Sequence, residues 1–324
     1  MTDTPTLSHL MDHFFVQHYV FVGRAREWIS FGAQPGTAIR GAIYHALVEL
    51  FSPNDPIPNM PLDPVRQLLE AEDETNPRGR NLPRAFTVEP PPPNARYGNG
   101  QRFEFGLSLF GSALVMAPYL FRAVHHVSQH GIGQGRGRFE LERIAEYNPL
   151  NRTRRDVMHH ERVFIPRLHV SHRRIVREIA IRNTDRILVN FLSPMRLIEG
   201  GRLVRVPHLG TLLRRLIERA QSLVENYSTD AAHVPSQADW RAEWERIGEL
   251  GDAIQRNGLL FERTEWLDVT SFSQKRGRGS PIGGFVGRAG WRIPQRDVVQ
   301  WLLWGQSLHV GKNTPKGDGY FILE

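Results

Sequence analysis

From Thr37 to Phe51, apolar residues recur every three or four positions, at Ile39, Ala42, Ile43, Ala46, Leu47 and Leu50. That spacing predicts a helix with one buried stripe. A mixed apolar segment, Phe14–Val22, precedes it in the place of a first strand. A proline-rich loop, from Ser52 to about Pro83, follows. Arg84–Glu89 then reads as a short strand ended by Pro90–Pro93. Phe103, Phe105, Leu107 and Leu109 alternate with Glu104, Gly106 and Ser108, which is strand periodicity. An apolar helix at Ala113–Val127, a glycine loop and a strand at Arg138–Ala145 complete the order β-α-β-β-α-β, a ferredoxin-like unit.

The second half repeats that order without repeating residues. Ile187–Phe191 is a strand, and Leu209, Leu212, Leu213, Leu216, Ile217 and Ala220 mark a helix carrying Arg214, Arg215 and Arg219 on its other sides. An inserted helical stretch spans Ala238–Gln255. Strands are expected at Leu259–Ser271 and Phe285–Ile293, a short helix at Gln295–Trp304, and a last strand within Gly319–Leu323. The expected fold class is therefore α+β: two tandem ferredoxin-like (RRM-like) units with glycine-rich loops. The expected division is a domain at 1–150, a basic linker or arm at 151–186, and a second domain at 187–324.

Composition narrows the partners. The 324 residues include no cysteine, which excludes disulfides, a thiol nucleophile and a thiolate zinc site. No apolar run approaches the ~20 residues of a membrane helix. The opening MTDTPTLSHL has no basic segment followed by an apolar run, so a cytoplasmic protein is expected rather than a secreted one. A net charge of +7 and a pI near 10.1 point to a polyanion. Of 41 basic residues, only Lys275, Lys312 and Lys316 are lysine. Arginine grips phosphate through two parallel hydrogen bonds and also stacks on bases. Ten arginines and four acids fall within Asn151–Arg186, including Arg173 and Arg174. This stretch is either a solvated linker or an arm lying along a phosphate backbone.

Two motifs fail on context. Gly131, Gly133, Gly135 and Gly137 suggest a dinucleotide fingerprint, but here the glycines follow a helix and precede a strand, the reverse of what pyrophosphate binding needs. Gly305 and Gly311-Lys312 are one residue too far apart for a P-loop, and Asn313 replaces its Ser or Thr. Glycine-basic loops remain. Arg136 and Arg138 flank the first of them. Lys275-Arg276-Gly277-Arg278-Gly279 leads into Gly283-Gly284 and Gly287-Arg288. A third runs from Gly311-Lys312 through Lys316 to Gly319. Glycines let a backbone approach phosphates and offer N–H groups to them, or they simply form turns.

Among the histidines, His45 points away from the apolar stripe of its helix, beside Gly41 and Glu49. The wheel leaves two readings: a surface histidine paired with Glu49, or a group poised for proton transfer. His309, just before the Lys312 loop, is a second candidate or a strand residue. His159, His160, His169 and His172 have ligand-like spacings but lie among arginines, which argues against a metal there.

The sequence resembles the CRISPR-associated endoribonucleases that process precursor CRISPR RNA, within the RAMP superfamily. The matching segments are AIRGAIYHAL (38–47), AFTVEPP (85–91), QRFEFGLSLFG (101–111), GIGQGRGRFEL (131–141), VNFLSPMRL (189–197), TLLRRLIERAQSL (211–223), GGFVG (283–287) and SLHVGKNTPKGDGYF (307–321). The resemblance implies two ferredoxin-like units and cleavage without metal or cofactor. A ribose 2′-OH attacks the adjacent phosphate, giving 2′,3′-cyclic phosphate and 5′-OH ends. Through its RG-x-x-x-H-A-L pattern it implies His45 in proton transfer, with Tyr44 and His309 as lesser candidates. Arg136, Arg138, Arg173, Arg174, Arg276, Arg278, Arg288, Lys312 and Lys316 are the expected RNA contacts. The expected partner is CRISPR repeat RNA or precursor crRNA, with other CRISPR effector subunits as further candidates. The alternative is a RAMP subunit that holds RNA in an effector complex without cutting it.

Overall fold

Val16–Ala25 (β1) is buried along almost its whole length, as a central strand covered on both faces must be. The structure is a computed structural model that describes residues 7–51, 65, 68, 82–159, 162–163, 166–182, 185–273 and 278–324. It divides into two units. One comprises Val16–Asn148 and Thr153–His169; the other comprises residues up to Phe15, Pro149–Arg152 and Val170–Glu324.

The chain opens with a short helix, Leu7–Met11 (α1), that belongs to the second unit. In the first unit, β1 is followed by Ile29–Ser30 (β2), Pro35–Phe51 (α2), Phe86–Glu89 (β3), Arg96–Tyr97 (β4) and Arg102–Phe110 (β5). A 3-10 turn, Gly111–Met116, leads into Ala117–His130 (α3), and then come Phe139–Asn148 (β6), Thr153–His159 (β7) and Arg162–Val163 (β8). The expected single helix from Ala113 starts later because Pro118 belongs in a first turn, where its missing N–H costs nothing. The antiparallel sheet has the order β3-β5-β1-β6-β7-β8. Its first four strands are the ferredoxin-like set. Helices α2 and α3 pack together, burying Ile39, Ile43, Ala46 and Leu47 with Leu120, Ala123, Val124 and Val127. Phe21 and Phe105 stack at 5.3 Å across neighbouring strands. Three buried polar residues of this sheet satisfy one another: His18 Nδ1 lies 2.7 Å from Glu89 Oε1 and 2.6 Å from Ser108 Oγ.

The basic segment is divided between the units. β7 pairs with β6 and β8 pairs with β7, extending the first sheet, while His172–Ile181 (α4) is a helix of the second unit. Asn151–Arg186 is thus built into both units, in place of the expected single linker or arm.

In the second unit, Ile187–Met195 (β9) is followed by the hairpin Leu197–Glu199 (β10) and Arg202–Val204 (β11), then by Leu209–Tyr227 (α5) and Gln237–Gly258 (α6). Leu259–Leu267 (β12), Thr270–Ser273 (β13), Arg278–Pro281 (β14), Gly284–Trp291 (β15), Arg296–Leu308 (α7) and Phe321–Leu323 (β16) complete it. The sheet order β12-β15-β9-β16 matches that of the first unit strand for strand. The expected strand Leu259–Ser271 is in fact two, because β13 leaves the sheet to pair with β14 in a separate ribbon. The strand expected to reach Ile293 ends at Trp291, where Arg292 N–H bonds back to the Gly258 carbonyl and Pro294 follows. Trp240, Trp291, Trp301 and Trp304 are buried in the core. Among the described residues, no helix is long and apolar enough to cross a membrane.

Candidate active site

Because α2 turns Ile39, Ile43, Ala46 and Leu47 inward, His45 and Glu49 are left exposed one helical turn apart. Helix α3 does the same. With Leu120, Ala123, Val124 and Val127 buried, His126 and His130 line up on another face. Their rings stack at 3.8 Å between centroids. His126 Nε2 is 3.1 Å from Glu49 Oε2, and His130 Nδ1 is 2.9 Å from the His126 carbonyl oxygen. The expected Glu49–His45 pairing is therefore replaced by Glu49–His126.

The glycine loop after α3 forms the next wall. Gly131 has φ of 90°, and a Cβ there would collide with the Arg136 carbonyl. At Gly133 (φ 77°) a Cβ would strike the Ser30 carbonyl, which accepts a hydrogen bond from Gln134 N–H at 2.7 Å. The loop is thus pinned on β2, and Arg136, itself left-handed at φ 52°, stands exposed at its tip. Together α2, α3 and this loop enclose a cleft of about 430 Å³ lined by His45, Glu49, His126, His130, Gly131 and Arg136, among others. Three imidazoles, one carboxylate and one guanidinium share one space. Imidazole takes and returns protons near neutral pH, and guanidinium stabilises an anionic transition state.

The other expected residues fall elsewhere. Tyr44 is half-buried, packs its ring edge-to-face on His45 at 5.6 Å, and is not part of the cleft lining. Arg138 is engaged by Glu27, with Nε to Oε1 at 2.8 Å; these hydrogen bonds hold the Glu27 carboxyl below its ordinary range and the guanidinium above its own. His309 is not on a strand. It follows α7 with φ of 57°, is fully buried, and stacks on Tyr320 at 4.9 Å. Arg173 is exposed and Arg174 half-buried on α4. Arg288 projects from the open face of β15, with Glu324 at 3.7 Å. Arg276 lies outside the described residues, as does the side chain of Arg278.

The C-terminal glycines do a different job from the one expected of phosphate loops. Gly319 (φ 73°) bonds to Val310 and Pro194 through its own carbonyl and amide, and the amides of Lys312, Lys316 and Gly317 bond to the carbonyls of Arg196, Asn313 and Thr314. Those amides are spent on the fold. The Lys312 side chain stays exposed, and Lys316 is half-buried. Asp318 is buried beneath this loop, where desolvation pushes its carboxyl up to about 7 against the opposing effects of Asn313 and Lys316.

His126 and His130 were not anticipated from the sequence. Their i, i+4 spacing opposite the α3 apolar stripe was the available signal.

Comparison with known proteins agrees with this architecture. Residues 14–171 match a family described as an N-terminal domain, and residues 189–321 match CRISPR-associated endoribonuclease Cas6. Thermus thermophilus Cas6 shares 15% identity and a TM-score of 0.53, over 96% of this chain and 99% of that one. A Cas6 product complex shares 14% identity and a TM-score of 0.54, over 96% and 99%. A partial Cas6-RT-Cas1–Cas2 complex shares 14% identity and a TM-score of 0.60, over 98% of this chain and 47% of that one. The comparison with curated proteins gave no significant match. Tandem ferredoxin-like units with glycine-rich returns are the fold this chain shares with those structures. The solved Cas6 structures share this fold, and the match to the Cas6 endoribonuclease family covers the second ferredoxin-like unit over residues 189–321.

Proposed function

We propose that this protein cuts CRISPR precursor RNA within the repeat by attack of a ribose 2′-OH on the adjacent phosphate, without a metal ion, leaving 2′,3′-cyclic phosphate and 5′-OH ends. The observation that carries this reading is the cleft itself, in which an exposed His45 faces a space also lined by two histidines and Arg136. The reaction needs a base for the 2′ proton, an acid for the departing 5′ oxygen, and positive charge on the phosphorane-like transition state. His45 serves as one proton-transfer group. His126 or His130 supplies the other, and Arg136 faces the phosphate. Arg288, Lys312 and Lys316 hold the RNA backbone through the C-terminal unit. The partner is precursor crRNA. Other CRISPR proteins are further candidate partners, in line with the Cas6-RT-Cas1–Cas2 assembly that shares this fold.

The test is single-turnover cleavage of repeat RNA in EDTA by the wild type and by His45→Ala. The wild type is expected to cut fully. The variant is expected to lose ~10²–10⁴-fold in rate, the usual contribution of a positioned acid or base, while binding RNA normally. EDTA-sensitive cleavage would remove the metal-free mechanism. Salt-sensitive RNA binding by the wild type without any product would instead identify a non-cleaving RAMP subunit.

A further inference from the structure

Glu49, His126 and His130 form a compact cluster at the wall of the cleft. His126 and His130 sit one turn apart on α3, Glu49 reaches them from α2, and ligand atoms from the three lie within 4.8 Å of one another. The 3.1 Å between His126 Nε2 and Glu49 Oε2 is close to the ligand–ligand edge of about 3.3 Å around a tetrahedral ion with bonds of about 2.0 Å. His130 places Nδ1 on the His126 carbonyl at 2.9 Å. Donation there fixes the tautomer and leaves Nε2 as an acceptor. That is the outer-shell bond which orients metal-binding histidines. Two imidazoles and one carboxylate, with no thiolate and few oxygens, suit zinc, cobalt or nickel rather than magnesium or calcium.

We propose that Glu49, His126 and His130 bind one zinc-type divalent ion at the cleft, with a coordination position left open to solvent. The ion is no part of the cleavage chemistry. It occupies the imidazoles facing His45 and so slows cutting. That consequence rests on the proposed cleavage site, whereas the binding does not.

A second cluster, His13, Asp230 and His233, lies in the other unit and must be silenced to count sites. The tag-free, chelator-stripped full chain carrying His13→Ala and His233→Ala is therefore titrated with Zn²⁺ by calorimetry. One equivalent is expected. Affinity is expected to fall by at least about tenfold in Glu49→Gln, which keeps the side-chain shape, and in His130→Ala. It is expected to survive His45→Ala. Co²⁺ is expected to give the intense visible bands of a four-coordinate ion, and these are expected to vanish in Glu49→Gln. Zinc affinity unchanged by both Glu49→Gln and His130→Ala would overturn the site. Saturating Zn²⁺ is expected to slow cleavage, and EDTA to restore it. Stoichiometric binding with undiminished cleavage would overturn the inhibitory role. Absence of cleavage under every condition would remove the catalytic reading and leave the zinc titration standing.

Discussion

The helix that follows the first strand is used in opposite ways in the two units. In the first unit, α2 buries one side and leaves His45 and Glu49 exposed over a cleft. In the second, α5 occupies the equivalent place but is covered by the inserted α6. Arg214 of α5 bonds Asp252 of α6 at 2.5 Å and lies over the Trp244 ring, while Arg215 pairs with Glu218 at 2.7 Å. One ferredoxin-like plan thus yields a helix that opens on a cleft in the first unit, and in the second a helix whose Arg214 is neutralised by the inserted α6. Strand order does not separate the two units. What covers the helix does.

The comparison is broken most directly at its reactive end. If the open helix is catalytic, His45→Ala abolishes most cleavage, as set out above, and Arg214→Ala in the covered helix leaves the rate of the folded enzyme unchanged. Equal losses in both would erase the distinction.

The structural role of α5 predicts the next effect. Leu216 is fully buried. Leu216→Ala is expected to cost about 2–5 kcal/mol of stability, the range for large-to-small core changes, seen as a lower denaturation midpoint. An unchanged midpoint would mean that α5 does not carry the core.

Asp318 sharpens the contrast through pH. Its carboxyl is held at about 7 in the folded unit, above the ordinary value of about 3.9. A raised acid stabilises the fold fully below its unfolded pKa, and this contribution is lost as pH rises through the folded pKa. Wild-type stability is therefore expected to fall between about pH 4 and 7 from this group, by a few kcal/mol. Asp318→Asn is expected to flatten that portion of the curve. A curve of unchanged slope in the variant would show that Asp318 is not held neutral.

Gly131 tests whether the cleft depends on its loop. At φ 90°, facing the Arg136 carbonyl, Gly131→Ala is expected to cost on the order of 1–3 kcal/mol and to slow cleavage by displacing Arg136. A variant cutting at the wild-type rate would detach Arg136 from the chemistry. The smallest effect is expected at Lys312, exposed at the end of the C-terminal loop. Lys312→Ala is expected to weaken RNA binding uniformly across sequences and to reduce the salt slope of log K by about one. An unaltered slope would place the phosphate contacts elsewhere.

Both βαββαβ orders were legible in the chain, since helix and strand periodicities are local properties of the alternation at Phe103–Leu109 or the stripe at Leu209–Ala220. Element ends were less so. The helix expected from Ala113 starts at Ala117 and the strand expected to reach Ile293 stops at Trp291, and the departure of β13 from the sheet depends on its pairing with β14. His45 was legible as a residue of an open helix face. Its surroundings were not, because Glu49 and His126 are 77 positions apart. The neutralisation of Arg214 was not legible either, because its partner Asp252 lies 38 positions further on.

The sequence by itself determined the order of elements, the basic charge carried mainly by arginine, and the face on which His45 stands. Each follows from spacing within a turn or a strand. Tertiary structure alone decided which charges are already neutralised, that the C-terminal glycine amides are bonded within the fold, that His309 is buried, and that three histidines and Arg136 share one cleft. Those outcomes depend on which distant side chain or carbonyl arrives within hydrogen-bonding distance, and packing sets that.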